Sequence, residues 1–347
     1  MSRYSLRFLQ FGLMSALALL AGPVFALHAN QSAELPLDRF GSVSFAIEGS
    51  ILGVEGEAHE IVYMESGSDL KLSELIWDIE SLVMAGGSLS VDYSEALGRI
   101  DNSFVRTLSH IVLGDRLNVG MWMNVTEGTG SMEDYDWLGR PTTSAWTDYS
   151  ESGVDIDLAY SFDINTAWDL PQFGPFVISS LIGYKRNYWE WSDYGGTYIY
   201  SSDPSSPTGF RDQRGTFGAD VGIDYDQTFH IPYGGIQVAA EWSRARTSVY
   251  FLYSPFVMAV DHDYHYSGNR SYREEFSGGD YFAAGLDLSV NLTKSLFISG
   301  AIDAQEIPTI RGDLYQSVAG GQEMSYPDSA GIKNSVIAAS LSIGYRL

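Results

Sequence analysis

From Val154 to Ile164 the chain reads Val-Asp-Ile-Asp-Leu-Ala-Tyr-Ser-Phe-Asp-Ile, with every second residue apolar. Successive side chains of a β-strand project to opposite faces, so this run is a strand with one apolar and one polar face. Phe282 to Leu292 repeats the pattern, setting Ala284, Leu286, Leu288 and Val290 against Gly285, Asp287, Ser289 and Asn291. The chain ends the same way, with Leu341, Ile343, Tyr345 and Leu347 on one face. Such runs are longer than the roughly 5–6 residues of a typical globular strand and approach the roughly 9–11 that cross a bilayer.

Two kinds of connection alternate between these runs. Pro171 to Pro175, Ser243 to Arg246 and Thr293 to Ser295 are short, whereas Thr126 to Ser152, Ser201 to Gly215, Asp261 to Ser271 and Asp313 to Lys333 are long and polar. Short turns on one side and long loops on the other describe a meander through an outer membrane, with the long loops extracellular. Counting the segments gives about ten strands, an even number that closure favours. The predicted fold is therefore all-β, a closed antiparallel transmembrane barrel with long extracellular loops and no exposed strand edges. Gly86 to Thr107 breaks the rhythm and is read as an enlarged periplasmic connection with short strands of its own.

Composition sharpens this picture. Beyond the first residues, no stretch approaches the roughly 20 apolar residues of a membrane-spanning helix. A mean hydropathy of −0.07 alone would suggest a soluble protein. Aromatic residues make up 14% of the chain, with 22 Tyr, and there are 36 Gly, which suits strands whose lipid-facing and lumen-facing residues alternate. Tyr188, Trp189, Trp191, Tyr194, Tyr198 and Tyr200 are read as an aromatic belt and upper-barrel surface. Gly285 and Gly300 are read as places where a neighbouring strand or bulky side chain approaches closely.

The N-terminus has Arg3 and Arg7, an apolar core from Phe8 to Leu20, and Val24-Phe25-Ala26 as a small-residue cleavage site. Residues 1–26 are accordingly expected to be a secretory signal and residues 27–347 one domain. Loss of Arg3 and Arg7 would deepen the formal charge of −24 by two. An acidic surface repels nucleic acid and attracts cationic partners. There are no cysteines, which excludes a disulfide framework and thiol catalysis.

Candidate chemistry lies in two acidic runs, Glu133-Asp134-Tyr135-Asp136-Trp137 and Asp261-His262-Asp263-Tyr264-His265. Strand alternation puts Asp134 and Asp136 on one face. It likewise groups Asp261, Asp263 and His265, and turns His262 and Tyr264 away. A carboxylate beside an imidazole orients the ring and stabilises its cation, as a general base acting on water requires. Solvated or calcium-binding loops, and a divalent-metal enzyme, are the competing readings of the same residues.

The chain resembles the omptins, outer-membrane endoproteases of Gram-negative bacteria, from roughly Ser44 to the C-terminus. The resemblance is carried by Gly56-Glu57-Ala58-His59-Glu60-Ile61-Val62-Tyr63, Asp134-Tyr135-Asp136-Trp137, Trp146-Thr147-Asp148-Tyr149-Ser150, Gly195-Gly196-Thr197-Tyr198-Ile199-Tyr200-Ser201, Gly209-Phe210-Arg211-Asp212 and Asp263-Tyr264-His265-Tyr266. It implies a ten-stranded barrel extending above the outer membrane, with the active site at the extracellular mouth. It also implies that Asp263 and His265 form a dyad activating water, opposite Asp134 and Asp136. By the same resemblance Glu60 and Asp261 receive a basic residue before the cut and Asp148 one after it, so basic peptides or proteins are the expected substrates. No cofactor or catalytic metal is expected, and the barrel is expected to be a monomer with membrane lipid as its other partner. A non-catalytic barrel of this fold, acting as an adhesin or cationic-ligand-binding protein, is the alternative.

The sequence also departs from the family pattern. Glu151-Ser152-Gly153 stand where His-Pro usually follows the Trp-Thr-Asp motif. Family activity is tied to lipopolysaccharide held by basic residues on the barrel exterior. Here Tyr184 keeps one member of that site, while Tyr188, Thr228 and approximately Ser277 occupy the basic positions and Arg186 the acidic one. Activity is therefore expected to depend less on lipopolysaccharide as an activator than is usual for the family, with Tyr184 and Arg186 the remaining lipid-binding candidates. Arg186 shares a face with Tyr184 and Tyr188, which makes it a better substitute than Lys185. The chain also ends in Leu347 rather than the usual aromatic.

Overall fold

The computed structural model describes residues 43–139, 145–318 and 321–347. The expected signal segment lies outside these residues. The strands are β1 (Ser44–Tyr63), β2 (Lys71–Asp92), β3 (Arg116–Asn124), β4 (Gly128–Asp136), β5 (Asp148–Asp169), β6 (Phe176–Tyr200), β7 (Gln213–Thr216), β8 (Val221–Glu241), β9 (Ala245–His265), β10 (Arg270–Asn291), β11 (Leu296–Val318) and β12 (Met324–Arg346). All strand pairings are antiparallel and belong to one sheet of twelve strands.

The pairings return to their start, because β1 bonds to both β2 and β12. Strands β3 and β4 together fill one position of the wall: β3 pairs with the lower part of β2 and β4 with its upper part, and both then pair with β5. The short β7 only adds to the upper end of β6. The twelve segments thus make the expected ten wall positions. A closed ring leaves no backbone edge unpaired in lipid, the condition a membrane-crossing sheet must meet.

Two expectations change at the ends of the strands. Most of the polar segments read as long outer loops are strand: β9 and β10 are joined only by the 3-10 turn Tyr266–Gly268 and Asn269, so the acidic run Asp261–His265 is β9 itself. Above a membrane both faces of a strand can be polar, and the alternation that marks a strand in sequence disappears. Residues 86–107 also differ from their reading. Gly86–Asp92 continue β2, and two helices follow, α1 (Ser94–Gly98) and α2 (Ser103–Leu113), in place of short strands. Asn102 starts α2 by accepting hydrogen bonds from the backbone of Phe104 and Val105.

Outward residues of β9 are apolar from Val249 through Phe251, Tyr253 and Phe256 to Met258, all exposed, and polar at His262. This belt marks the lipid-crossing part, and His265 stands roughly 20 Å farther along the strand. Inside, Trp77, Trp191 and Tyr225 are fully buried and stack on one another, with Tyr225 ring centroids 5.2 Å from Trp77 and 5.6 Å from Trp191. Trp189 and Trp191 therefore do not form the surface belt expected of them. They sit on the inward face of β6 with Lys185 and Asn187. Gly285 is a close-approach position as expected, since a Cβ there would meet the Tyr250 ring at 2.5 Å; Gly300 has ordinary space.

Candidate active site

The upper ends of β1, β4, β5, β9 and β10 carry a cluster of acidic side chains. On one side β4 presents Asp134 and Asp136, and Ser73 of the neighbouring β2 donates to Asp134 Oδ1 at 3.3 Å. On the other side β9 presents Asp263 and His265, whose Nε2 lies 2.5 Å from Asp263 Oδ2. Strand alternation separates these groups from His262 as expected: the Asp263 side chain is 3% exposed, that of His265 30% and that of His262 54%. Tyr272 of β10 meets the His265 ring edge-on at 5.3 Å and limits its rotation.

Electrostatics link the two sides. Burial raises the Asp134 pKa well above a usual carboxyl, and the neighbouring Asp136 raises it further. Asp136 is pushed up to about 6, by burial first and against the opposing Ser73 hydrogen bond. A charged His265 lowers both. Both carboxyls nonetheless remain harder to ionise than a carboxyl in water. Burial disfavours the His265 cation, yet its bond to Asp263 and the charges of Asp263, Asp134 and Asp193 outweigh this and raise its pKa.

Glu60 on β1 and Asp261 on β9 are 3% and 1% exposed, and after burial the charges of Asp263 and Asp261 raise the Glu60 pKa. Tyr225 donates to Asp261 Oδ2 at 3.0 Å and is itself held by Gln227 at 2.7 Å. Glu60 Oε2 has no hydrogen-bond partner. Asp148 at the start of β5 is oriented by Thr147 Oγ1 at 2.7 Å and the Ser201 backbone at 2.8 Å. It faces Asp136 across the β4–β5 ladder. Arg211 braces this corner by lying 3.2 Å over the Trp146 ring and donating to the Trp146 carbonyl. The Trp-Thr-Asp and Gly-Phe-Arg-Asp motifs are thus two halves of one support.

Sequence reasoning missed Glu274. It lies on β10 directly opposite Asp261 and is 1% exposed, and beyond the Asp261 carboxyl neither of its oxygens has a hydrogen-bond partner among the described residues. Burial, then the charges of Asp261 and Glu60, raises its pKa well above the usual value. Three buried carboxyls therefore converge, and among the described residues no cation pairs with them. The signal for Glu274 was the hairpin itself: a turn that pairs His265 with Arg270 also pairs Asp261 with Glu274.

The lipid-binding candidates lie elsewhere. Tyr184 and Arg186 face outward on β6, with the Tyr184 hydroxyl 2.6 Å from His230 Nδ1 and the Arg186 guanidinium 5.5 Å from the Tyr160 ring centre. Lys185 points inward, 3.9 Å from Asp163.

A model described as the Omptin family matches residues 42–347. The chain is 27% identical over 330 residues to the plasminogen activator of Yersinia pestis, covering 92% of this chain and 94% of that protein. It is 26% identical over 280 residues to outer membrane protease OmpP of Escherichia coli (strain K12), covering 79% and 80%. The crystal structure of outer membrane protease OmpT from Escherichia coli superposes with a TM-score of 0.77 at 21% identity, covering 88% of this chain and 97% of that one, a likeness of fold.

Proposed function

The chain belongs to the Omptin family, and from that premise we propose that it is an endopeptidase whose Asp263–His265 dyad activates water against a peptide bond beside a basic residue. Its place is the outer membrane of a Gram-negative bacterium, where the family's proteases reside. The observation that carries the proposal is the 2.5 Å contact between His265 Nε2 and Asp263, in electrostatic reach of Asp134 and Asp136, whose pKa values are both raised.

With Nε2–H donated to Asp263, Nδ1 of His265 keeps the free lone pair and takes a proton from water as the oxygen attacks the carbonyl carbon. The protonated member of the Asp134–Asp136 pair donates to the oxygen that becomes negative in the tetrahedral intermediate. His265 then returns its proton to the departing amine as the C–N bond breaks. Asp263 remains ionised beside the imidazolium and stabilises it.

The basic specificity follows from the pocket. Among the described residues no cation pairs with Glu60, Asp261 or Glu274, and an arginine or lysine side chain of a substrate supplies one. A neutral side chain would leave the carboxyls without counter-charge, so selection against it is strong. Asp148, held at the other end of the cluster, receives a basic residue after the cut. A site that merely captured cationic ligands would need these acids but not the dyad. A cleavage-site profile on a peptide library tests the proposal: cuts concentrated beside Arg and Lys are expected, and cuts indifferent to charge would overturn it.

A further inference from the structure

Helix α2 carries a strongly one-sided surface that the barrel does not cover. Ile111, Phe104, Leu108, Val112 and Val105 fall within an arc of about 120° on a helical projection. Their exposures are 62%, 74%, 50%, 64% and 46%, and no residue of the helix is buried. Arg106 projects to the opposite side. So large an apolar stripe, left in water, is not a stable surface.

The anchoring of α2 fixes which side of the wall it occupies. Ala159 and Ala167 are fully buried inward residues of β5, so Thr166 and Trp168 lie on its outward face. Trp168 Nε1 donates to the His110 carbonyl at 2.8 Å, and the Thr166 hydroxyl donates to the Leu113 carbonyl, which the Tyr93 hydroxyl also reaches. The Gly114 amide returns to His110, and a Cβ at Gly114 would strike the Ala167 carbonyl at 2.6 Å, so the helix ends in close contact with the wall. The Leu113 carbonyl at the end of the helix is thus satisfied by Thr166 on the outward face of β5 and by Tyr93. The helix lies outside the lumen, at the rim where the other connections are short.

We propose that α2 is an interfacial anchor, its apolar stripe embedded among phospholipid acyl chains of the inner leaflet and Arg106 directed to the headgroups. Continuity with the lipid-facing belt identifies the occupant: a helix hydrogen-bonded to the outward face of a membrane strand meets the same solvent as that face. A helix with one apolar and one polar side, too short to span, rests in the plane of the interface. The inference is independent of catalysis.

The absence of cysteine makes the test direct. Leu108→Cys and Arg106→Cys are each labelled with an environment-sensitive fluorophore, and the full chain is reconstituted in phosphatidylethanolamine–phosphatidylglycerol vesicles. The expected result is quenching by nitroxide-labelled lipid several-fold stronger at position 108 than at 106, with iodide in the water acting in the reverse order. Equal access of iodide to both positions would overturn the proposal. A label at 108 shielded from both quenchers would also overturn it, because protein rather than lipid would then cover the stripe.

Discussion

Glu274→Gln should stabilise the empty protein while impairing its catalysis. The carboxyl is 1% exposed and faces another carboxyl, Asp261, so its ionised form is unfavourable in the folded state. Its folded pKa therefore lies above the ordinary 4.5. The stability associated with its neutral form is intact below about 4.5 and is lost as pH rises through the folded value. Glutamine has the same shape without the charge. At pH 4 the variant should match wild type, and at pH 8 it should gain about 1–3 kcal/mol, the cost of an unsatisfied buried polar group. Its kcat/KM on an arginine peptide should fall roughly 10- to 150-fold, the equivalent of about 1.5–3 kcal/mol for one charged hydrogen bond. Urea unfolding in detergent at the two pH values, with kinetics on the same preparations, measures both effects. A variant less stable than wild type at pH 8 would refute the reasoning, because Glu274 would then be a supporting residue rather than a carboxyl waiting for a cation.

Three further outcomes are expected. The pH profile of kcat/KM should be a bell: the acid limb follows loss of the proton from His265, whose pKa is raised above 6.5, and the alkaline limb follows loss of the proton held by Asp134 and Asp136; activity already falling between pH 5 and 6.5 would contradict it. Asp148→Asn should lower kcat/KM roughly 10-fold or more for peptides with a basic residue after the cut and barely change it for those with a neutral one, as matched peptide pairs would reveal. Activity in detergent should respond only weakly to added lipopolysaccharide, since Tyr188 and Thr228 replace cationic partners; strict dependence would contradict this, and its loss in Arg186→Ala would identify the substitute contact.

The membrane-crossing part of the fold was legible because lipid outside and polar lumen inside impose a period of two, as in Val154–Ile164 and Phe282–Leu292. The upper barrel was less legible. Asp261–His265 and Arg270–Glu275 are paired strands, but water on the outside and acids on the inside erase the alternation, so the hairpin read as a loop and Glu274 went unnoticed. The same short-range reasoning did assign the faces of Asp134, Asp136, Asp263 and His265 correctly, since alternation within one strand needs no knowledge of its neighbours. Trp189 and Trp191 show the converse. Their type suggested an interface belt, whereas their inward position depends on the register with β5 and β8, which composition does not contain.

The most direct test of the proposed mechanism is the hydrolysis rate of an Arg-Arg peptide by folded wild type and by folded His265→Ala. Removal of the general base should lower kcat by about 100- to 10,000-fold with little change in KM, because the ring acts on water and the carboxyl pocket holds the substrate. Equal rates for the two proteins, or an inert wild type across dibasic peptides, would contradict the assignment of His265 and Asp263 as the catalytic dyad.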